Sequence, residues 1–288
     1  MDFDTERSFT RETILERLRA RVAEGKAIVG AGCSAGIIAR SAEAGGADII
    51  IVYNTGRSRI MGLPTSHIGQ ANPTTLSMYD EIDNVVQHTP IVGGAHAADL
   101  TYSRLNRLLD AFVEKGYDGI INFPSAGNNL TFANRREHVG QGMQREIKMI
   151  KLAHERGIFT MGYAYTAEQA TLLAAAGVDV LVPHAGWTMG GDFGADSSTA
   201  RDEAATLAHV QQLLELGRAE NPDIIVLAHG GSFGTPEDTR RLYEATDAQG
   251  FVGASSIERI PVERAVREAV AGFRDFRLRD AAQNGSVA

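Results

Sequence analysis

Short apolar runs without polar alternation recur along the chain, each followed by a longer segment whose apolar positions repeat with helical spacing. The runs are KAIVGAG (26–32), ADIIIVYN (47–54), PIVGGAH (90–96), DGIINFP (118–124), GIFTMGYA (157–164), VDVLVPHAG (178–186), DIIVLAHGG (223–231) and GFVGASS (250–256). Runs of this kind are parallel strands covered on both faces, where neither side meets water. Helices are predicted over 35–45, 74–87, 100–115, 134–156, 166–176, 201–219, 236–247 and 261–273. Several strands follow a glycine-containing helix end, as in VEKGYDG, HERGIF and AAAGVD, which is how many helices stop. A strand–helix unit repeated eight times predicts an α/β fold, a (β/α)8 TIM barrel. A doubly wound open sheet is the competing architecture, and the number of units weighs against it. Residues 1–24 predict an extra N-terminal helix capping one end, with Thr10 as N-cap and Ile14, Leu15, Leu18 and Val22 on one stripe. The barrel is expected over 25–275, and 276–288 reads as a flexible tail.

Composition narrows the partners rather than the fold. Of 288 residues, 43% are hydrophobic and 22% charged, and the formal net charge is −8. That charge disfavours nucleic acid, whose phosphates want a basic face. No run approaches the roughly 20 consecutive apolar residues of a membrane span, and the charged N-terminal stretch lacks a signal peptide's apolar core. The single cysteine, Cys33, cannot form an intrachain disulfide and suits a reducing compartment. The expectation is a cytoplasmic protein without membrane partners, and a homo-oligomer on the general preference for symmetric assemblies.

GAGCSAG after the first strand contains G-x-G-x-x-A, near the dinucleotide-binding pattern. That pattern needs an acid at the end of strand two, where this chain has Tyr53 and Asn54; Asp48 lies at the strand's beginning. NAD is therefore not expected, and Cys33 reads as a small buried residue rather than a nucleophile.

Barrel enzymes place chemistry at the C-terminal ends of their strands. Strand two ends with Asn54, Arg57 and Arg59, strand three with His96, strand four with Asn122, and strand five with Tyr163 and Tyr165. Strands six and seven end with His184 and His229, so three of the eight histidines take matching positions. Neutral imidazoles serve as bases or metal ligands, but no pair has the helical spacing of a zinc motif, so no metal ligand is assigned. The strand-seven and strand-eight turns, with Gly230, Gly231, Ser232, Gly253, Ser255 and Ser256, offer amides and hydroxyls to an anion. A helix beginning near Pro261 would add its dipole, and Arg57 or Arg59 would clamp a carboxylate.

The motifs GAG, YNTGR, NFPSAG, GMQREIKMIKLAH, HAGWTMGG, HGGSFGTPED and GFVGASSIERIPVE resemble the phosphoenolpyruvate hydrolase-like TIM-barrel family, some members of which are labelled TIM-barrel signal-transduction proteins. The likeness runs from about residue 10 to 275 and implies a barrel with a small anionic substrate of the phosphoenolpyruvate type. On that resemblance the expected activity is a hydrolase or lyase. An aldolase or isomerase and a non-catalytic sensor are the alternatives. His184, His229 and Glu258 become the catalytic candidates. Ser255, Ser256 and the Gly230–Ser232 amides would hold a phosphoryl group, with Mg2+ or another divalent cation as the expected helper. Glu258 is the one glutamate after the strand-eight turn, with Arg259 or Arg264 as its alternative partners. Glu146 reads as a solvated helix residue. The acid-rich Mg2+ site and gating loop of classical phosphoenolpyruvate mutase and isocitrate lyase relatives find no copy in the sequence.

Overall fold

A computed structural model of the chain describes residues 7–128, 130–194 and 202–276. From residue 277 on, the expected tail lies outside the described residues.

The strands are β1 (Ile28–Gly32), β2 (Ile49–Val52), β3 (Ile91–Gly94), β4 (Gly119–Ile121), β5 (Phe159–Ala164), β6 (Val180–Pro183), β7 (Ile225–Val226), β8 (Ala228–His229) and β9 (Gly250–Gly253). All pair in parallel in the order β7-β6-β5-β4-β3-β2-β1-β9-β8. β7 and β8 are consecutive pieces of the seventh position, interrupted at Leu227, whose amide still donates to the Leu181 carbonyl at 3.0 Å. β7 pairs with β6 and β8 with β9, so nine strands fill the eight positions of a (β/α)8 barrel.

The strands lack polar alternation because both faces are covered. Ile49, Ile51 and Tyr53 point inward with Val92, Ile121, Met161 and Val252. Ile50, Val52 and Ile91 belong instead to the outer layer with Ile82, Leu108 and Phe112. Successive strand residues face opposite sides, so one unbroken apolar run supplies both layers.

The helices are α1 (Arg11–Ala23), α2 (Gly36–Ala44), α3 (Gly56–Ile60), α4 (Ala71–Asp83), α5 (Leu105–Lys115), α6 (Ala133–His138), α7 (Met143–Glu155), α8 (Ala167–Ala175), α9 (Glu203–Glu220), α10 (Pro236–Ala245), α11 (Ser255–Glu258) and α12 (Ile260–Arg274). Thr10 starts α1 through a reciprocal cap with Thr13. Ile14, Leu15 and Leu18 then pack with Ile28, Ile49, Phe159 and Ile225 at the strand beginnings. The same end is sealed by carboxylates at the strand entries. Asp48 accepts from the Val29 amide at 2.8 Å, Asp118 from Ile91 at 2.8 Å and Asp179 from Thr160 at 3.0 Å. Arg11 joins Asp179 at 2.7 Å, and Arg7 joins Asp83 and Asp118. Asp48 therefore serves the barrel's closed end, which is why it could not hold a ribose at the other.

Some predicted helices are divided. The segment 134–156 is α6 and α7, parted around Gly140, whose φ of 69° is left-handed. The helix expected from Pro261 begins at Ile260, and α11 stands between it and the strand-eight turn. None of the α12 side chains is buried, unlike those of the helices that cover the barrel. Among the described residues, no helix is long and apolar enough to cross a membrane.

Candidate functional site

At the C-terminal ends of the strands lies a cavity of 420 Å³. Tyr53 and Tyr163, whose hydroxyls meet at 2.6 Å, line it with Phe123, Tyr165, His184 and His229. The two imidazoles are neighbours, with ring centroids 4.7 Å apart, because the sheet brings His184 opposite His229 in a parallel bridge. Tyr165 stacks on His184 at 4.6 Å.

Backbone partners decide which nitrogen of each ring carries the proton. His229 Nδ1 lies 2.7 Å from the Val252 carbonyl, which only an N–H can satisfy, so its Nε2 presents a lone pair. His184 Nδ1 accepts from the Gly186 amide at 3.1 Å, so its Nε2 carries the hydrogen. Burial pushes the His229 pKa down to about 4 against the Val252 carbonyl's opposing pull, and Arg59 lowers it further. Burial, and then His229, hold His184 well below the ordinary imidazole range. Both rings are neutral near pH 7, one a donor and the other an acceptor.

Two guanidiniums reach the same cavity. Arg59, 6% exposed, comes from α3, and Arg259, 4% exposed, comes from the junction of α11 and α12. Arg59 Nε donates to Glu258, and Nη1 donates to Thr55 Oγ1 at 3.2 Å; Nη2 approaches Glu258 but is not aligned for a hydrogen bond. Arg259 bonds Glu263 at 3.0 Å and the Gly190 carbonyl at 2.9 Å, leaving its buried Nε without a partner. Each buried cation is thus paired with a carboxylate, Arg59 with Glu258 and Arg259 with Glu263, and keeps one buried nitrogen outside its hydrogen bonds.

The sequence-derived candidates divide between this cavity and its surroundings. Arg59, His184, His229 and Ser255 line it. Arg57, two residues from Arg59 on a helix, faces the other way and is exposed. Asn54 bonds His67 at 3.0 Å. His96 lines a neighbouring cavity of 570 Å³ with His67, Asp99 and Arg136. Asn122 donates to Glu146 and accepts from the Tyr163 amide at 2.7 Å, tying β4 to β5.

The strand-seven amides are a correction. Gly231 N–H donates to the Gly186 carbonyl at 3.0 Å, and a Cβ on Gly230 would stand 2.0 Å from that oxygen. These glycines let two loops pack closely; they do not form an open cradle. Ser232 and Ser256 do not line the cavity, although their hydroxyls are buried without partners. Gly253 leaves room for Ser256, whose Oγ would be 2.7 Å from an added Cβ. Glu258 does not pair with Arg259 or Arg264 but with Arg59 and the Ser34 hydroxyl. Cys33 is wholly buried, and desolvation together with Glu258 raises its thiol well above the ordinary range, so it stays protonated.

Glu146 is the second correction. It is fully buried beneath the strand-four loop, accepting from Asn122 at 2.8 Å, Ser125 Oγ at 2.7 Å and the Ala126 amide. Desolvation outweighs these donors and raises it to about 7. Its periodicity in α7 pointed inward with Met143, Met149 and Ile150, a signal that charge alone obscured. Trp187, Thr188 and Phe193 also line the cavity; the lone tryptophan in a glycine-rich loop after strand six was the legible sign of them.

Glu146 and Glu258 are engaged by protein donors, and among the described residues no three His, Cys, Asp or Glu side chains come together as a metal group. The described donor set does not fit a protein-held divalent cation.

Comparisons with known proteins agree with this fold. The ToMV resistance protein Tm-1(GCR237) of Solanum lycopersicum is 36% identical over 277 residues, covering 93% of this chain and 36% of that protein. The chain therefore spans little more than a third of that relative. The structure of phosphoenolpyruvate phosphomutase from Streptomyces platensis subsp. rosaceus superposes with a TM-score of 0.57 at 16% identity, covering 95% of this chain and 91% of that one. Phosphonopyruvate hydrolase, solved with oxalate and Mg++, gives 0.56 at 16% identity, covering 92% and 87%. At such identities the two structures share the fold. The sequence match spans residues 13–276, and this chain belongs to the phosphoenolpyruvate hydrolase-like family.

Proposed function

We propose that the chain is a hydrolase or lyase acting on a small phosphorylated or keto acid of the phosphoenolpyruvate type, bound at the barrel mouth. The observation that carries this reading is the meeting, in one cavity, of two buried arginines with two neutral histidines of opposite hydrogen-bonding sense. Arg59, Arg259 and Ser255 hold the acid group. His229 Nε2 takes a proton from water or from an acidic carbon, while His184 Nε2–H donates to the oxygen on which negative charge develops. A base depressed to about 4 is weak in the empty site; the negative charge of a bound acid raises it toward working pH.

The test is product formation from phosphoenolpyruvate, phosphonopyruvate and oxaloacetate, with and without Mg2+, which also covers a cation carried in by the substrate's own oxygens. The expected outcome is turnover with at least one acid and a loss of about 100-fold or more in kcat for His229→Gln. Product analysis by mass separates hydrolase and lyase from aldolase or isomerase. Ligand stabilisation without turnover identifies a sensor. No turnover and no stabilisation by any of the three acids rejects the proposal. The same reading places the protein in the cytoplasm as a homo-oligomer, with the uncovered face of α12 as the contact between copies.

A further inference from the structure

The cavity is larger and more aromatic than a three-carbon acid requires. Its 420 Å³ falls within the range of about 300–1,000 Å³ that encloses drug-sized ligands. Tyr53, Phe123, Tyr163, Tyr165, Trp187 and Phe193 contribute six rings to its lining.

Polarity is arranged opposite to what solvent alone favours. The charged and hydroxyl groups Arg59, Arg259 and Ser255 are buried in the lining. Beside the polar Asn128 and Thr65, the exposed lining carries large apolar rings: Trp187 is 56% and Phe193 46% exposed, and neither ring has an aromatic partner among the described residues. Pro64 also lines the cavity, from the segment after α3, and beside it Leu63 is exposed. Water gains nothing from large apolar side chains at the entrance of a site for a small, strongly hydrated acid. They suit a guest whose polar head descends first and whose apolar body stays at the rim.

Resting on the function proposed above, we infer that the ligand is a keto or enol acid bearing an aromatic or comparably bulky apolar substituent. Its acid group meets Arg59 and Arg259, and its substituent lies against Trp187 and Phe193.

Trp187 is the only tryptophan in the chain, so its fluorescence reports on the rim. Titration calorimetry and Trp187 emission would be followed for the full chain with phenylpyruvate, pyruvate and benzyl alcohol. The expected result is phenylpyruvate binding at least tenfold tighter than pyruvate, with a change in Trp187 emission. Trp187→Ala is expected to bring phenylpyruvate to within about twofold of the affinity of pyruvate, and Trp187→Phe to restore most of the preference. Equal affinity for the two acids overturns this inference and leaves the proposed function standing. Binding of neither acid overturns this inference, and the proposed function falls with it only if phosphoenolpyruvate, phosphonopyruvate and oxaloacetate also neither bind nor turn over. Benzyl alcohol binding as tightly as phenylpyruvate overturns the assignment of the acid head to the arginines.

Discussion

At the scale of single residues, the buried groups of the mouth make opposite demands on pH. His229 has a folded pKa near 4, against 6.5 ordinarily. As pH falls through 6.5 the unfolded chain takes up the proton first, so the native state loses stability down to about pH 4. The loss is about 3 kcal/mol at 1.36 kcal/mol per unit. Glu146 has a folded pKa near 7, against 4.5. Between those values the native state holds the proton that the unfolded chain has released, so stability falls as pH rises from 4.5 to 7. The two slopes oppose each other. Denaturant midpoints measured from pH 4 to 7 are expected to rise more steeply with pH in Glu146→Gln than in the wild type, and less steeply in His229→Gln. Parallel curves for all three proteins would refute the burial argument. Of these two residues, His229 was legible from its strand-end position. Glu146 was not, because a carboxylate in a helix ordinarily faces water, and only α7 lying over the strand-four loop gives it three donors.

At the scale of elements, α3 is a five-residue helix that no periodicity announced, yet it decides which arginine serves the site. A turn this short turns Arg57 to solvent and Arg59 inward. It can sit so close to the end of β1 because residue 56 has no side chain: a Cβ there would lie 1.4 Å from Ser34 Oγ. Gly56→Ala is therefore expected to push α3 away, loosen Arg59 from Glu258 and cost about 1–3 kcal/mol, read as a lower thermal midpoint together with weaker acid binding. Adding Ser34→Gly removes the clashing atoms and is expected to recover much of the stability. Because Ser34→Gly also removes the hydroxyl that donates to Glu258, the comparison is a double-mutant cycle: if Gly56→Ala costs as much in the Ser34→Gly background as in the wild type, close packing at this contact is not the cause.

At the scale of the whole molecule, the two ends of the barrel have separate duties. Aspartates at the strand entries, Arg7, Arg11 and α1 close the N-terminal end, and the histidines and arginines open the other. α12 belongs to neither: Val262, Val266 and Val270 recur every fourth residue and are exposed, as is Phe273. An apolar stripe of this length in water is a site for association, and closed homo-oligomers are its commonest resolution. Sedimentation velocity is expected to find an oligomer in the wild type and a smaller species in Val266→Glu with the thermal midpoint of the barrel preserved. A monomeric wild type would reject the contact.

The barrel was legible in the sequence because burial on both strand faces leaves unbroken apolar runs, alternating with helical segments in the same order eight times, several of which end in glycine. The strand-end histidines were legible for the same reason, since position along a strand names the end of the barrel it reaches. What surrounds a strand end was not. Gly230 and Gly231 read as open amides, but tertiary packing spends one of them on the Gly186 carbonyl and uses both for close approach. Glu258 read as a catalytic candidate with Arg259 or Arg264 as alternative partners, and packing delivers it instead to Arg59 and Ser34, 199 and 224 residues away along the chain yet in direct contact. Periodicity follows from local burial and so is written in one dimension. Hydrogen-bond partners come from whichever distant segments the closed barrel brings together, and only the tertiary structure decides them.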